Sequence, residues 1–191
     1  PDTQVLQSYG LDPSDNLVLI RFVSWLATHD IKHTGIPLSL KREAVAAFSR
    51  HGRVLITSEK ELPADLQPYQ IQINPIDIFH VMAHCRLVFG ESGTMASEAA
   101  VLGVPAIYVD STSRDYTKEQ EAKYGLVFNY PEEAKSIEQA IQWGEEILTT
   151  PALRDQFADG HRRLLDDKID VTAFLLDYIL QYMERQAFPQ F

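Results

Sequence analysis

The stretch that most constrains the fold runs from Arg86 to Val109. Arg86-Leu-Val-Phe89 is a short apolar run of the kind that forms a buried strand. Gly90, Ser92 and Gly93 follow as a small-residue loop. Thr94 to Leu102 has helical spacing, with Gly103 as its C-terminal stop. Pro105 restarts the chain, and Ala106-Ile-Tyr-Val109 predicts a second buried strand. A glycine-containing loop at the carboxyl end of a parallel strand, feeding a helix N-terminus, is suited to holding a phosphate.

The same alternation surrounds this unit. Asn16–Phe22, Arg53–Thr57, Tyr69–Ile73 and Leu126–Tyr130 read as strands. Helical spacing appears from Ser39 to Arg50, from Ile76 to His84 and from Tyr116 to Tyr124. Three further helices follow: Glu132–Leu148, Pro151–Leu165 and Asp170–Met183. This order predicts an α/β fold, with a parallel sheet of about six strands covered by helices on both faces. Residues 1–16 are polar and are expected to be an entry linker, with the domain proper at 17–185. Ligands of such sheets bind past the carboxyl ends of the strands, which points to the loops at 24–37, 90–94 and 110–116.

Bulk properties exclude some functions. The 191 residues carry a net charge of −10, the wrong sign for non-specific binding to nucleic acid or anionic membranes. No run approaches the roughly 20 apolar residues of a membrane span. Cys85 is the only cysteine, so no internal disulfide forms, and a reduced, cytoplasmic setting is expected. The sequence begins at Pro1-Asp2 without an initiator Met, as expected of a processed chain or one cut from a longer protein.

The segment Glu91-Ser-Gly-Thr-Met-Ala-Ser-Glu-Ala-Ala-Val-Leu-Gly-Val-Pro105 resembles the nucleotide-sugar motif of the UDP-N-acetylglucosamine 2-epimerases. It also resembles the wider GT-B glycosyltransferase superfamily, in which a Ser-Gly pair is followed by a helical Glu, then Leu-Gly-x-Pro and a strand. The whole chain is similar to a largely uncharacterised prokaryotic family of glycosyltransferase-like proteins. Its marks are Leu19-Ile-Arg-Phe22, Ala27-Thr-His-Asp-Ile31 with Gly35, and Glu121-Ala-Lys-Tyr-Gly-Leu-Val-Phe128. The resemblance implies a Rossmann-like three-layer domain forming one half of a GT-B fold, with the active site between the two halves. This chain would be the C-terminal, donor-nucleotide half. Its helices at 132–185 would pack partly on the missing N-terminal domain. The last of them is apolar on more than one face, and a homodimer through these helices is the other partner they would accept.

The resemblance also distributes roles. Ser92 and Gly93 would hold the diphosphate of a UDP-sugar, and Glu98 would accept the ribose hydroxyls. Thr94 stands where the epimerases often carry a second Gly, and it counts against a strict epimerase reading. Arg21, Lys32 and His33, at or after the first strand, would offset charge on the leaving nucleotide. His29 and Asp30 would form an acid–base pair, and Arg114 matches an epimerase Arg near this position. Bland alternatives stand beside these: an ordinary N-cap for Ser92, a solvated helix carboxylate for Glu98, a surface ion pair for Arg114, packing for Trp25 and Trp143. Two His and one Asp in five residues are a weak zinc set, so neither metal nor cofactor is expected. The loops at 66–75 and 110–116 are where the nucleotide base would be selected. Three functions follow: donor domain of a nucleotide-sugar glycosyltransferase, part of a nucleotide-sugar 2-epimerase, or a non-catalytic nucleotide-binding module.

Overall fold

A computed structural model describes residues 1–24, 35–112 and 114–187. Five strands form one parallel sheet: β1 (Leu17–Phe22), β2 (Val54–Ser58), β3 (Cys85–Gly90), β4 (Ala106–Val109) and β5 (Val127–Tyr130). Their order across the sheet is β2-β1-β3-β4-β5. The chain therefore moves outward one way from β1 to β2, then crosses back to β3 and continues the other way. Right-handed crossovers place the helix after β1 on one face and the helices after β2 and β3 on the other. The two directions part between β1 and β3, where a crevice opens at the carboxyl ends of the strands.

β1 is interior to the sheet. Leu17, Val18, Leu19, Ile20 and Phe22 are all buried, the near-continuous apolar run expected of a strand covered on both sides. On one face lie α2 (Leu38–Phe48) and α6 (Ala134–Thr149), packed on each other. α6 turns Ile137, Ala140, Ile141, Gly144 and Leu148 inward, the i, i+3, i+4, i+7 spacing of an amphipathic helix. Gly144 lets the pair approach closely: a β-carbon there would lie 2.7 Å from Phe48 Cε1. Phe48 in turn meets Phe89 edge-on at 5.3 Å.

The other layer holds α3 (Ile78–Met82), α4 (Gly93–Val101) and α5 (Asp115–Glu119). After α5 the chain widens into a π-helical turn at Gln120–Tyr124, ended by Gly125 in the left-handed region. α7 (Ala152–Asp167) lies against that turn, with Gly160 so close that a β-carbon would sit 2.1 Å from the Tyr124 carbonyl oxygen.

Two stretches differ from the sequence reading. Tyr69–Ile73 was expected as a strand by its alternation. It contributes one bridge, Gln70 to Ile56 at the β2 edge, so the sheet has five strands among the described residues. Pro68 and Pro75 bracket the stretch, and proline cannot donate to a ladder. The segment read as a linker carries α1 (Thr3–Ser8), which buries Leu6. Tyr9 fixes it to the body by donating to Asp77 Oδ2 at 2.7 Å. The last helix read from the sequence is α8 (Val171–Ala187), exposed from Val171 through Glu184, including Phe174, Leu175, Tyr178, Ile179 and Tyr182. No helix among the described residues is long and apolar enough to cross a membrane.

Candidate functional site

The crevice between β1 and β3 is built around Gly90-Glu-Ser-Gly93. Gly90 ends β3 with φ +148°, and its α-carbon lies so near β1 that a β-carbon would meet the Arg21 carbonyl oxygen at 2.1 Å. Arg21 O accepts the Glu91 N–H at 3.0 Å. The chain then turns into α4. Ser92 is its N-cap, with the hydroxyl oxygen accepting the Met95 N–H at 3.3 Å. The Ser92 O–H proton stays available to an acceptor in the crevice. The amides of Gly93 and Thr94 belong to the first helical turn, where no carbonyl of the helix can reach them. Two tyrosine hydroxyls crowd Gly93: a β-carbon there would lie 3.1 Å from both Tyr108 Oη and Tyr116 Oη.

Above these amides is a cleft of about 410 Å³ that also contains Ser24, Glu59, Asp110 and Arg114. Its carboxylates are all engaged. Glu59 takes the Arg21 guanidinium at 2.6 Å and the Ser24 N–H at 2.9 Å. Burial disfavours Glu59 ionisation, but the Ser24 and Arg21 contacts outweigh it and lower its pKa. Asp110 receives the Tyr108 hydroxyl and the Thr112 N–H, and lies 3.9 Å from Arg114. Burial, then the bond to Asp110, pushes the Tyr108 hydroxyl well above its ordinary pKa. The phenol is therefore neutral, and Arg114, 41% exposed, brings positive charge to the rim.

Glu91 is the residue that sequence reasoning left without a role. Its side chain is fully buried. One oxygen accepts the Val23 N–H at 2.9 Å and the other the Ile36 N–H at 2.6 Å. Lys41 Nζ stands 3.4 Å from each oxygen and also 4.3 Å over the Phe22 ring. One carboxylate thus ties down both residues that bracket 24–35. The signal was its position: an acid directly after a buried strand needs partners to stay charged.

A second cleft, of about 510 Å³, opens on the other side of α4, toward the end of β2. Arg21, Ile71, Ile73, Ile78 and Met95 line it together with Glu98. Glu98 is partly buried and has no side-chain partner among the described residues. Desolvation alone raises its carboxyl pKa above the ordinary 4.5. Ser92, Gly93, Thr94, Glu98, Arg21 and Arg114 are thus gathered at the carboxyl end of the sheet, with Arg21 already paired to Glu59. His29, Asp30, Lys32, His33 and Trp25 lie outside the described residues. Trp143 packs edge-on to Phe128 at 5.2 Å on the outer layer, away from both clefts. Among the described residues, no group of three His, Cys, Asp or Glu is placed to hold a metal ion.

Comparison with known proteins places the fold. The sequence pattern of a protein family of unknown function (DUF354) matches residues 53–116. No curated protein matches the chain. Among solved structures, the calicheamicin glycosyltransferase CalG4 superposes with a TM-score of 0.58 at 21% identity, over 90% of this chain and 43% of its own. The spinosyn forosaminyltransferase SpnP gives 0.57 at 16%, over 91% and 46%. UDP-GlcNAc 2-epimerase from Neisseria meningitidis, bound to UDP-GlcNAc, gives 0.55 at 13%, over 83% and 43%. The chain therefore spans less than half the length of these proteins, and its fold is that of a Rossmann-like half of the GT-B architecture.

Proposed function

We propose that this chain is the donor-nucleotide domain of a GT-B-type glycosyltransferase and holds the diphosphate and ribose of a nucleotide sugar, with a UDP-sugar as its donor. The observation that carries the reading is Glu98. A half-buried carboxylate with no partner among the described residues, facing a cleft, is costly unless a ligand supplies donors, and two ribose hydroxyls suit its two oxygens. The remaining groups fall into place around it. The Gly93 and Thr94 amides, the Ser92 hydroxyl and the positive end of α4 would take the diphosphate. Arg114 would meet the charge that develops as the nucleotide leaves. Ile71 and Ile73 offer the base an apolar face. His29 and Asp30 are the proposed acid–base pair, with Lys32 and His33 as added cations.

The acceptor side of such a reaction is assigned to a second, N-terminal half. Two observations support this: the chain spans less than half of its structural neighbours, and α8 exposes Phe174, Leu175, Tyr178 and Ile179 to solvent. An apolar helix of this kind needs a surface to cover it, and the proposal gives it the N-terminal half.

Glu98→Gln separates ligand binding from folding. Because the folded-state pKa of Glu98 is raised, its ionisation opposes folding. The stability it withholds is present at low pH and is lost as pH rises through the window above 4.5. The neutral variant is therefore expected to be at least as stable as the parent at pH 7 by thermal melting. Its affinity for UDP, measured by titration calorimetry, is expected to fall about tenfold or more, the weight of a charged hydrogen bond. Unchanged UDP affinity would remove Glu98 from the site.

A further inference from the structure

The sheet has a second cavity at its other end. It lies where β1, β3 and β4 begin, beneath the last turns of α4 and α6, and is walled by α7. Its volume is about 500 Å³, within the range of roughly 300–1,000 Å³ typical of small-molecule sites. Arg86, Arg154 and His161 line it, and among the described residues no acidic side chain does. That is unexpected in a chain with 27 acidic residues against 17 Lys and Arg. Phe157, Ile147 and Leu102 give it an apolar floor.

Two of the three basic groups have a partner. Arg86 donates to the Leu148 carbonyl at 2.6 Å, in the last turn of α6. It also reaches Asn16 Oδ1 at 3.5 Å. His161 Nε2 lies 2.9 Å from the Val101 carbonyl at the end of α4. Such contacts cap helix C-termini, and capping alone would account for both residues. It does not account for Arg154. That guanidinium belongs to an exposed residue, has no side-chain partner among the described residues, and lines the same cavity as Arg86. Burial, then the charge of Arg154, lowers the Arg86 pKa, in keeping with two cations held close without an anion between them. Holding like charges together costs energy unless an anion offsets it, and guanidinium groups suit phosphate oxygens.

We propose that this cavity is a second ligand site, distinct from the clefts at the carboxyl ends, and that it binds a small phosphorylated molecule through Arg154 and Arg86, with the ligand's apolar part against Phe157. The proposal is independent of the nucleotide-sugar reading, because the two sites share no residue.

The test is an amide NMR titration with inorganic phosphate against chloride at matched ionic strength, on the parent and on Arg154→Glu. Glu in the first turn of α7 favours the helix dipole, so the variant is expected to fold. Saturable shifts are expected at Gly103 and His161 in the parent. In the variant they should weaken at least tenfold, while any phosphate shifts at Gly93 and Thr94 persist. Shifts at Gly103 and His161 that rise linearly without saturation, or that are unchanged in Arg154→Glu, would overturn the proposal.

Discussion

Replacing Glu91 by Ala is expected to destabilise the domain by about 3–5 kcal/mol, the usual cost of removing one partner from a buried charged cluster. The carboxylate is fully buried and serves three donors at once: Val23 N–H, Ile36 N–H and Lys41. Its loss leaves two amides and an ammonium, only 18% exposed, without their acceptor. Urea denaturation of the variant should show the lost stability. Hydrogen exchange should speed up at Val23 and Ile36 before it does in the sheet. Glu91→Gln keeps the shape and one acceptor oxygen, and its loss should be smaller. A change below about 1 kcal/mol for Glu91→Ala, the scale of a single net hydrogen bond, would mean that these amides are solvated in solution.

Gly90→Ala is the second large effect, and its cause is steric. A β-carbon at position 90 would lie 2.1 Å from Arg21 O and 2.9 Å from Arg21 N. The obstacle is the backbone of the interior strand β1, which has no rotamer to give way. The φ of +148° adds a conformation that L side chains rarely adopt. Strain of about 1–3 kcal/mol and overpacking of about 1–3 kcal/mol place the expected loss at roughly 2–6 kcal/mol. The chevron should show which step carries it. If β1 and β3 pair in the transition state, folding slows; if they pair afterwards, unfolding speeds up. A stability within 0.5 kcal/mol of the parent, the usual scatter of surface substitutions, would mean that β1 and β3 do not approach this closely.

Much of this was legible in the sequence, for physical reasons. Asn16–Phe22 and Arg86–Phe89 read as buried strands because a parallel sheet wants apolar runs. Gly103 and Gly125 read as helix stops because the chain there enters the left-handed region. The turn from β3 into α4 was legible in Gly90, Ser92 and Gly93 because a strand-to-helix turn is local in sequence. Features that depend on distant partners were not legible. Glu91 is 68 residues from Val23 and 55 from Ile36 in its hydrogen bonds, and no spacing rule connects them. Arg86, Arg154 and His161 come from one strand and one later helix, and only the folded sheet brings them to one cavity. Tyr69–Ile73 shows the opposite failure. Its alternation is real, but the prolines beside it limit pairing to a single bridge. α1 was missed because it is only six residues long and buries a single side chain, Leu6, too little for a helical period to show.

The measurement that tests the nucleotide-sugar reading most directly is a crystal structure of the chain with UDP. Diphosphate oxygens are expected within hydrogen-bond distance of the Gly93 and Thr94 amides and the Ser92 hydroxyl, with the ribose hydroxyls on Glu98. A diphosphate seated away from Ser92-Gly93, with Glu98 facing only water, would contradict that reading.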